Sequence, residues 1–381
     1  MPDRLPYGRQ SIDDPDIAAV TDVLRSDFLT TGPQVARFEE ALVAATGARH
    51  AVALNSGTSA LHAMYFATGI GAGDEIVTSP LTFAATANAA LYLGATARFV
   101  DVRADTGTMD PDAVQDAITD RTRAIVAVDF AGHPADYDAL SRIAADRGVA
   151  LLADAAHSLG ATYRGRAVGT LALASAFSFH PVKPITTAEG GAVLTDDPQI
   201  AARAARFRTH GITRDRELMG DDEGPWYHEM IDLGFNYRLT DLQAALGSSQ
   251  LTRLGGFIAR RREIARRYTA ELADLEGRLR LPCETPGVES GWHLYVVRVA
   301  DPARRRPFFE RLTELGLGVQ VHYIPVYRHP YYRELGYAPG LCPVAEDFYA
   351  RAVSIPIFPT MTDEDADRVI ETVRRAVGEV L

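Results

Sequence analysis

Lysine is all but missing from this chain of 381 residues: 38 of its 39 basic residues are arginines, and Lys183 alone is a lysine. Arginine replaces lysine wherever only a solvated positive charge is wanted, so a lone lysine raises the question of what arginine cannot do. Arginine stays protonated at any working pH, whereas a lysine amine can lose its proton, attack a carbonyl and form an imine. A chance survivor of a biased composition is the plainer explanation, and the surrounding residues have to decide. Cysteine is nearly as scarce. Cys283 and Cys342 are too few for a disulfide framework or a thiolate metal cage, and they read as ordinary thiols of a reduced compartment. Positive charge is in deficit, 39 basic against 50 acidic residues for a net charge of -11, so no field exists to hold a polyanion and no nucleic-acid partner is expected. No run approaches the ~20 apolar residues that span a bilayer, and the start lacks the basic-then-apolar order of a signal peptide. The expectation is a cytoplasmic protein that avoids membranes.

What is present, at 47% hydrophobic and 23% charged residues, is a folded chain with material for more than one core. Short apolar runs at 51–54, 75–78, 97–100, 124–128, 150–153, 174–177 and 192–194 alternate with helix-period segments at 59–68, 84–93, 111–118 and 136–147. Seven strands with mostly helical connections predict an α/β fold whose largely parallel sheet is covered by helices on both faces. A long helical stretch follows over 240–275, with Gly255 and Gly256 as the expected break. Beyond it the pattern predicts strands at 293–299 and 318–321 and helices at 305–315 and 363–377. The division expected is a large domain, 1–245, and a smaller C-terminal α+β domain, 246–381. The irregular stretch 210–234 is too long for a mere connection.

Three segments surround the chemistry of Lys183. Asn55-Ser56-Gly57-Thr58-Ser59 follows a predicted strand and opens a predicted helix; its free N–H groups at the positive end of the helix dipole make either a phosphate seat or simply a capped helix start. Leu151-Leu152-Ala153-Asp154 puts an acid at the carboxyl end of an apolar strand, where open α/β sheets bind ligands. That carboxylate could hold a proton on a heteroaromatic ring nitrogen, or be an ordinary cap. Phe177-Ser178-Phe179-His180-Pro181-Val182-Lys183 ends another strand and leads to Gly190-Gly191. A phosphate seat, a ring-nitrogen acid and an imine-forming lysine, in that order, describe pyridoxal phosphate binding by an aminotransferase-like enzyme.

Over almost its whole length the chain resembles the DegT/DnrJ/EryC1/StrS family of nucleotide-sugar aminotransferases. The resemblance is carried by residues 55–61, 80–88 (PLTFAATAN), 154–160 (DAAHSLG), 177–191 (FSFHPVKPITTAEGG) and 234–243 (GFNYRLTDLQ). It implies the aspartate aminotransferase fold, type I. It further implies Lys183 as the imine-forming lysine that also moves protons, Asp154 on the pyridinium nitrogen and Phe83 stacked on the ring. Gly57, Thr58 and Ser178 would bind the phosphate, with Asn236 added from the second subunit of a homodimer. His157 falls near the cofactor's phenolic oxygen. His322 and Tyr323 match a segment that approaches the nucleotide sugar from the neighbouring chain, and Arg238 could receive a carboxylate or phosphate. His180 has no assigned role. Segments 177–193 and 321–327 are most similar to members acting in pseudaminic acid biosynthesis. The reaction implied is transfer of the amino group of L-glutamate, leaving 2-oxoglutarate, to a nucleotide-linked 4-keto-6-deoxy sugar, specifically a UDP-linked 2-acetamido-2,6-dideoxy-hexos-4-ulose. Alternatives are a dTDP-linked keto sugar aminated at C3 or C4, and a pyridoxal-phosphate-dependent sugar dehydratase. Related dehydratases carry histidine where this chain has Lys183, which favours transamination.

Overall fold

The predicted apolar runs become one seven-stranded sheet in the computed structural model, which describes residues 4–381. Its strands are β1 (His50–Leu54), β2 (Glu75–Thr78), β3 (Thr96–Phe99), β4 (Thr122–Val128), β5 (Ala150–Asp154), β6 (Ala174–Ser178) and β7 (Gly191–Thr195). They lie in the order β1-β7-β6-β5-β4-β2-β3. Neighbours from β3 to β6 pair in parallel, while β7 runs antiparallel to both β1 and β6. Both sheet faces are apolar because alternate side chains point to opposite sides. In β4, Ala124 and Val126 enter one core and Ile125 and Ala127 the other.

Helices cover the two faces. The first core takes α3 (Gly57–Ala67), α4 (Ala85–Leu91) and α7 (Pro198–Phe207); the second takes α2 (Pro33–Thr46), α5 (Pro111–Ala117), α6 (Tyr137–Arg147) and α8 (Asp241–Leu251). Helix α1 (Asp14–Leu24), which the sequence pattern did not reveal, packs on α8; buried Asp16 accepts hydrogen bonds from Ser249 and Gln250 there.

Helix α9 (Leu254–Glu271) begins after a break at Thr252 and Arg253, not at the glycine pair. Gly255 and Gly256 sit inside its first turn and face open space. Each costs about 1 kcal/mol against alanine, and the buried stripe Leu254, Phe257, Ile258, Arg261, Ile264, Ala265, Tyr268 outweighs that cost. A third core joins α9, α10 (Arg305–Glu314) and α11 (Asp363–Val380) to an antiparallel sheet of β8 (Leu279–Arg280), β9 (Tyr295–Val299) and β10 (Ala352–Ile355). The strand expected at 318–321 does not form. Its hydrogen bonds are divided: Gly318 N–H donates to Leu5 O, and only Gln320 pairs with Ser354. Among the described residues, no helix is long and apolar enough to cross a membrane.

Candidate active site

Strands β4, β5 and β6 end side by side, and the residues just beyond them line a cavity of about 500 Å³, within the range of small-ligand sites. At one end stands the start of α3. Ser56 caps it, its hydroxyl accepting from Ser59 N at 3.1 Å while Ser59 Oγ accepts from Ser56 N at 3.0 Å. The N–H groups of Gly57 and Thr58 belong to the first helical turn, which has no intrahelical acceptor for them. Gly57 is required by proximity: a Cβ there would lie 2.8 Å from Ser178 Cβ. Gly57→Ala should therefore push α3 off the end of β6 and weaken binding of a phosphate-bearing ligand at least ~10-fold in a fluorescence titration; unchanged affinity would show that the contact is not needed.

Deep in the cavity, Asp154 is 6% exposed. Its Oδ2 accepts from the Thr86 hydroxyl at 2.6 Å and its Oδ1 from Ala156 N at 3.2 Å. Burial raises its pKa, opposed by these hydrogen bonds and by the Lys183 charge. The Lys183 amine is brought down to about 8, because desolvation outweighs the attraction of Asp154. It is thereby poised to supply a free amine near neutral pH, the state a nucleophile needs.

The opposite wall carries imidazoles. His157 Nε2 lies 3.1 Å from Tyr323 Oη, and its buried Nδ1 has no partner. The His293 ring stands 4.4 Å from that of His157, its Nδ1 likewise buried and unpartnered. His322 Nδ1 meets Ser354 Oγ at 2.8 Å. Burial, then the nearby Lys183 cation, holds His157 well below its usual range and brings His322 to about 4, so both are neutral. Burial likewise keeps His293 neutral, followed by the influence of His157 and Lys183. The Lys183 amine thus faces three uncharged imidazoles, His157, His293 and His322. Phe83 lies on the cavity wall, 63% exposed, its ring 6.4 Å from that of Tyr323. A large aromatic so exposed is not a core residue.

Gly57, Thr58, Phe83, Asp154, His157, Ser178 and Lys183 thus share one cavity, and His322 and Tyr323 join them from the same chain. The expectation that His322 and Tyr323 arrive from a neighbouring chain is corrected. Val326 N–H donates to Pro80 O, and this bond ties their segment to the wall beside Phe83. Asn236 and Arg238 do not line the cavity. They run along the outer flank of β1, with Asn236 O near Asn55 Nδ2 and Arg238 paired with Leu54. His180 sits at the rim, exposed. The sequence reading missed Asp129, His293 and Tyr7, which line the cavity, and Thr86, which holds Asp154. Thr86, three residues after Phe83 in the quoted segment 80–88, was within reach of it; the other three carried no local signal.

Residues 10–374 match the DegT/DnrJ/EryC1/StrS aminotransferase family. The chain is 41% identical over 378 residues to the spore coat polysaccharide biosynthesis protein SpsC of Bacillus subtilis, covering 98% of this chain and 97% of that protein. Its structure superposes on Helicobacter pylori PseC, an aminotransferase involved in the biosynthesis of pseudoaminic acid, with a TM-score of 0.93 at 34% identity over 99% and 100% of the two chains. A Streptococcus pneumoniae protein, Spr1654, in its PLP-form gives a TM-score of 0.92 at 31% identity over 99% and 100%.

Proposed function

Because the chain belongs to the DegT/DnrJ/EryC1/StrS aminotransferase family and is thereby a pyridoxal-phosphate-dependent sugar aminotransferase, we propose that it carries the amino group of L-glutamate to a nucleotide-linked 4-keto-6-deoxy sugar. The acceptor we assign is a UDP-linked 2-acetamido-2,6-dideoxy-hexos-4-ulose, and the product is the 4-amino sugar used for pseudaminic acid. The observation that carries the transaminase reading is a buried lysine amine, brought to about 8, in the cavity that also holds Asp154. A histidine in its place would favour elimination.

The cavity's own residues fit the cofactor. The tight approach of Gly57 to Ser178 at a helix start suits its phosphate, the exposed Phe83 ring suits a stacked heterocycle, and the unpartnered Nδ1 of His157 leaves a polar group in want of a ligand. Bound there, pyridoxal phosphate supplies an electron sink for cleavage at the amino-bearing carbon. Asp154 would keep a proton on the ring nitrogen, and His157 would face the phenolic oxygen. Lys183 would hold the cofactor covalently and then, released as a free amine, move the proton between carbons.

Among the described residues no arginine lines the cavity, although the proposed substrates are anions. In this reading Asn236 and Arg238 serve the site of a second copy. The exposed apolar residues Trp226, Met230, Leu233 and Phe235, on and beside the same loop, support a homodimer. Residues 1–245 would form the cofactor-holding unit and 246–381 the smaller one. We place the enzyme in the cytoplasm.

The test begins with the visible spectrum of protein loaded with pyridoxal phosphate. Adding L-glutamate should convert a band near ~420 nm to one near ~330 nm, with release of 2-oxoglutarate. UDP- and dTDP-linked 4-keto sugars are then offered in turn. Reversal of the band by the UDP sugar alone supports the assignment. Reversal by the dTDP sugar alone selects the other nucleotide. A band that glutamate leaves unchanged removes glutamate as donor.

A further inference from the structure

Asp129, the residue after β4, is fully buried at the cavity, and its bonds tie the 154–158 turn on the site side to the start of α6 on the far side. Its N–H donates to Asp154 O at 3.1 Å. Its Oδ1 accepts from Ala135 N at 2.9 Å and the Tyr137 hydroxyl at 3.0 Å, both at the entry to α6 and directed away from the site. Its Oδ2 accepts from the Ser158 hydroxyl at 2.6 Å, and Ser158 follows His157 in the chain. Between these anchors the chain makes a strained turn, with Ala131 at φ 60° and Gly132 at φ 96°. That turn wedges against the imidazole wall. A Cβ on Gly132 would lie 2.9 Å from the His293 and Trp292 nitrogens and 3.0 Å from His157 O, and Leu294 N–H donates to Ala131 O.

We propose that Asp129 is a positioning residue which, through Ser158, fixes the 154–158 turn and so sets the placement of Asp154 and His157 against the bound cofactor. A carboxylate with three donors is an unusual group to bury, and desolvation lifts its pKa to about 7 against those hydrogen bonds. The cost is consistent with a role in holding three segments that no apolar side chain could hold. The other titratable groups around the turn are His133 within it, whose pKa burial lowers, Asp154 and Lys183 in the same cavity, the neutral His157 and His293, and the hydroxyls of Tyr137 and Tyr323.

The inference rests on the reading of Asp154 and His157 as cofactor contacts, and its test separates the two. In the full-length, cofactor-loaded protein, Ser158→Ala cuts the bond on the site side of the carboxylate, and Tyr137→Phe cuts one on the far side. Both should lower the melting temperature. Only Ser158→Ala should weaken pyridoxal phosphate binding about tenfold and move the pH midpoint of its visible band by roughly half a unit or more. Asp129→Asn keeps an acceptor for Ala135 and Tyr137 but turns the Ser158 bond around. It should shift the midpoint in the same direction and stands in if Ser158→Ala does not accumulate. Equal effects of Ser158→Ala and Tyr137→Phe on the midpoint would overturn the proposal alone. A wild-type protein with no titrating visible band would overturn the underlying reading and this one with it.

Discussion

Lys183→Arg should retain the positive charge and abolish turnover, lowering amino-sugar formation by at least ~10⁴-fold, because a guanidinium has no free amine to offer a carbonyl. Borohydride reduction of the loaded wild-type protein should attach one pyridoxyl group, recovered on Lys183 alone of the side chains, and none in the variant. Substantial turnover by Lys183→Arg would remove lysine as the catalyst. The same residue has an opposite effect on stability. Its pKa falls from 10.5 to about 8 on folding, so between those values the unfolded chain binds more protons than the native one, and stability rises with pH. Below pH 8 the buried cation costs roughly 3 kcal/mol. Cofactor-free Lys183→Met should therefore melt several degrees above wild type at pH 7, with the advantage fading by about pH 10.5. A lower melting temperature at pH 7 would show that the amine is not desolvated as its position implies.

Asp154→Asn comes second in expected size. The amide keeps an acceptor for the Thr86 hydroxyl and nearly the same shape, so the fold should persist while the negative charge proposed to serve the ring nitrogen is lost. We expect kcat for amino transfer to drop ~10²–10³-fold, the loss typical when one preorganised electrostatic partner is removed. Glutamate should still bind. Since the Asp154 charge raises the Lys183 pKa, the variant's lysine should titrate lower than wild type's. A kcat within a few-fold of wild type would mean that Asp154 is a structural cap.

Lys183 and Asp154 were legible in the chain because their chemistry cannot be supplied by neighbours, and because Asp154 ends an apolar strand and Lys183 lies in the turn that follows another. Phe83 was legible only as an aromatic in a familiar segment; its exposure decides that it is not core. His293 and Asp129 left no trace because tertiary wiring places them: Arg261 of α9 donates to the carbonyls of Trp292 and His293, and Asp129 depends on partners up to 29 residues away. The reversed direction of β7 was equally hidden, since an apolar run of five residues carries no sense of direction. The glycine pair in α9 misled for a different reason. Local propensity argued for a break, and the buried stripe running through it decided otherwise.

The reversed strand also governs when the site can exist during synthesis. Strand β1, which leads into the start of α3, has among the described residues no hydrogen-bonded neighbour in the sheet except β7, with His50 opposite Thr195 and Leu54 opposite Gly191. A nascent chain that has emerged only as far as α6 therefore carries β1 as an unpaired apolar strand, and the start of α3 has nothing to press against until Ser178 arrives. The imidazole wall waits longer still, for residues 293 and 322. Long-range closure of this kind is slow and leaves sticky edges open meanwhile. The cofactor can thus act only as a ligand of the nearly finished fold, and its supply should affect the yield of native enzyme at the last step of folding, not the first.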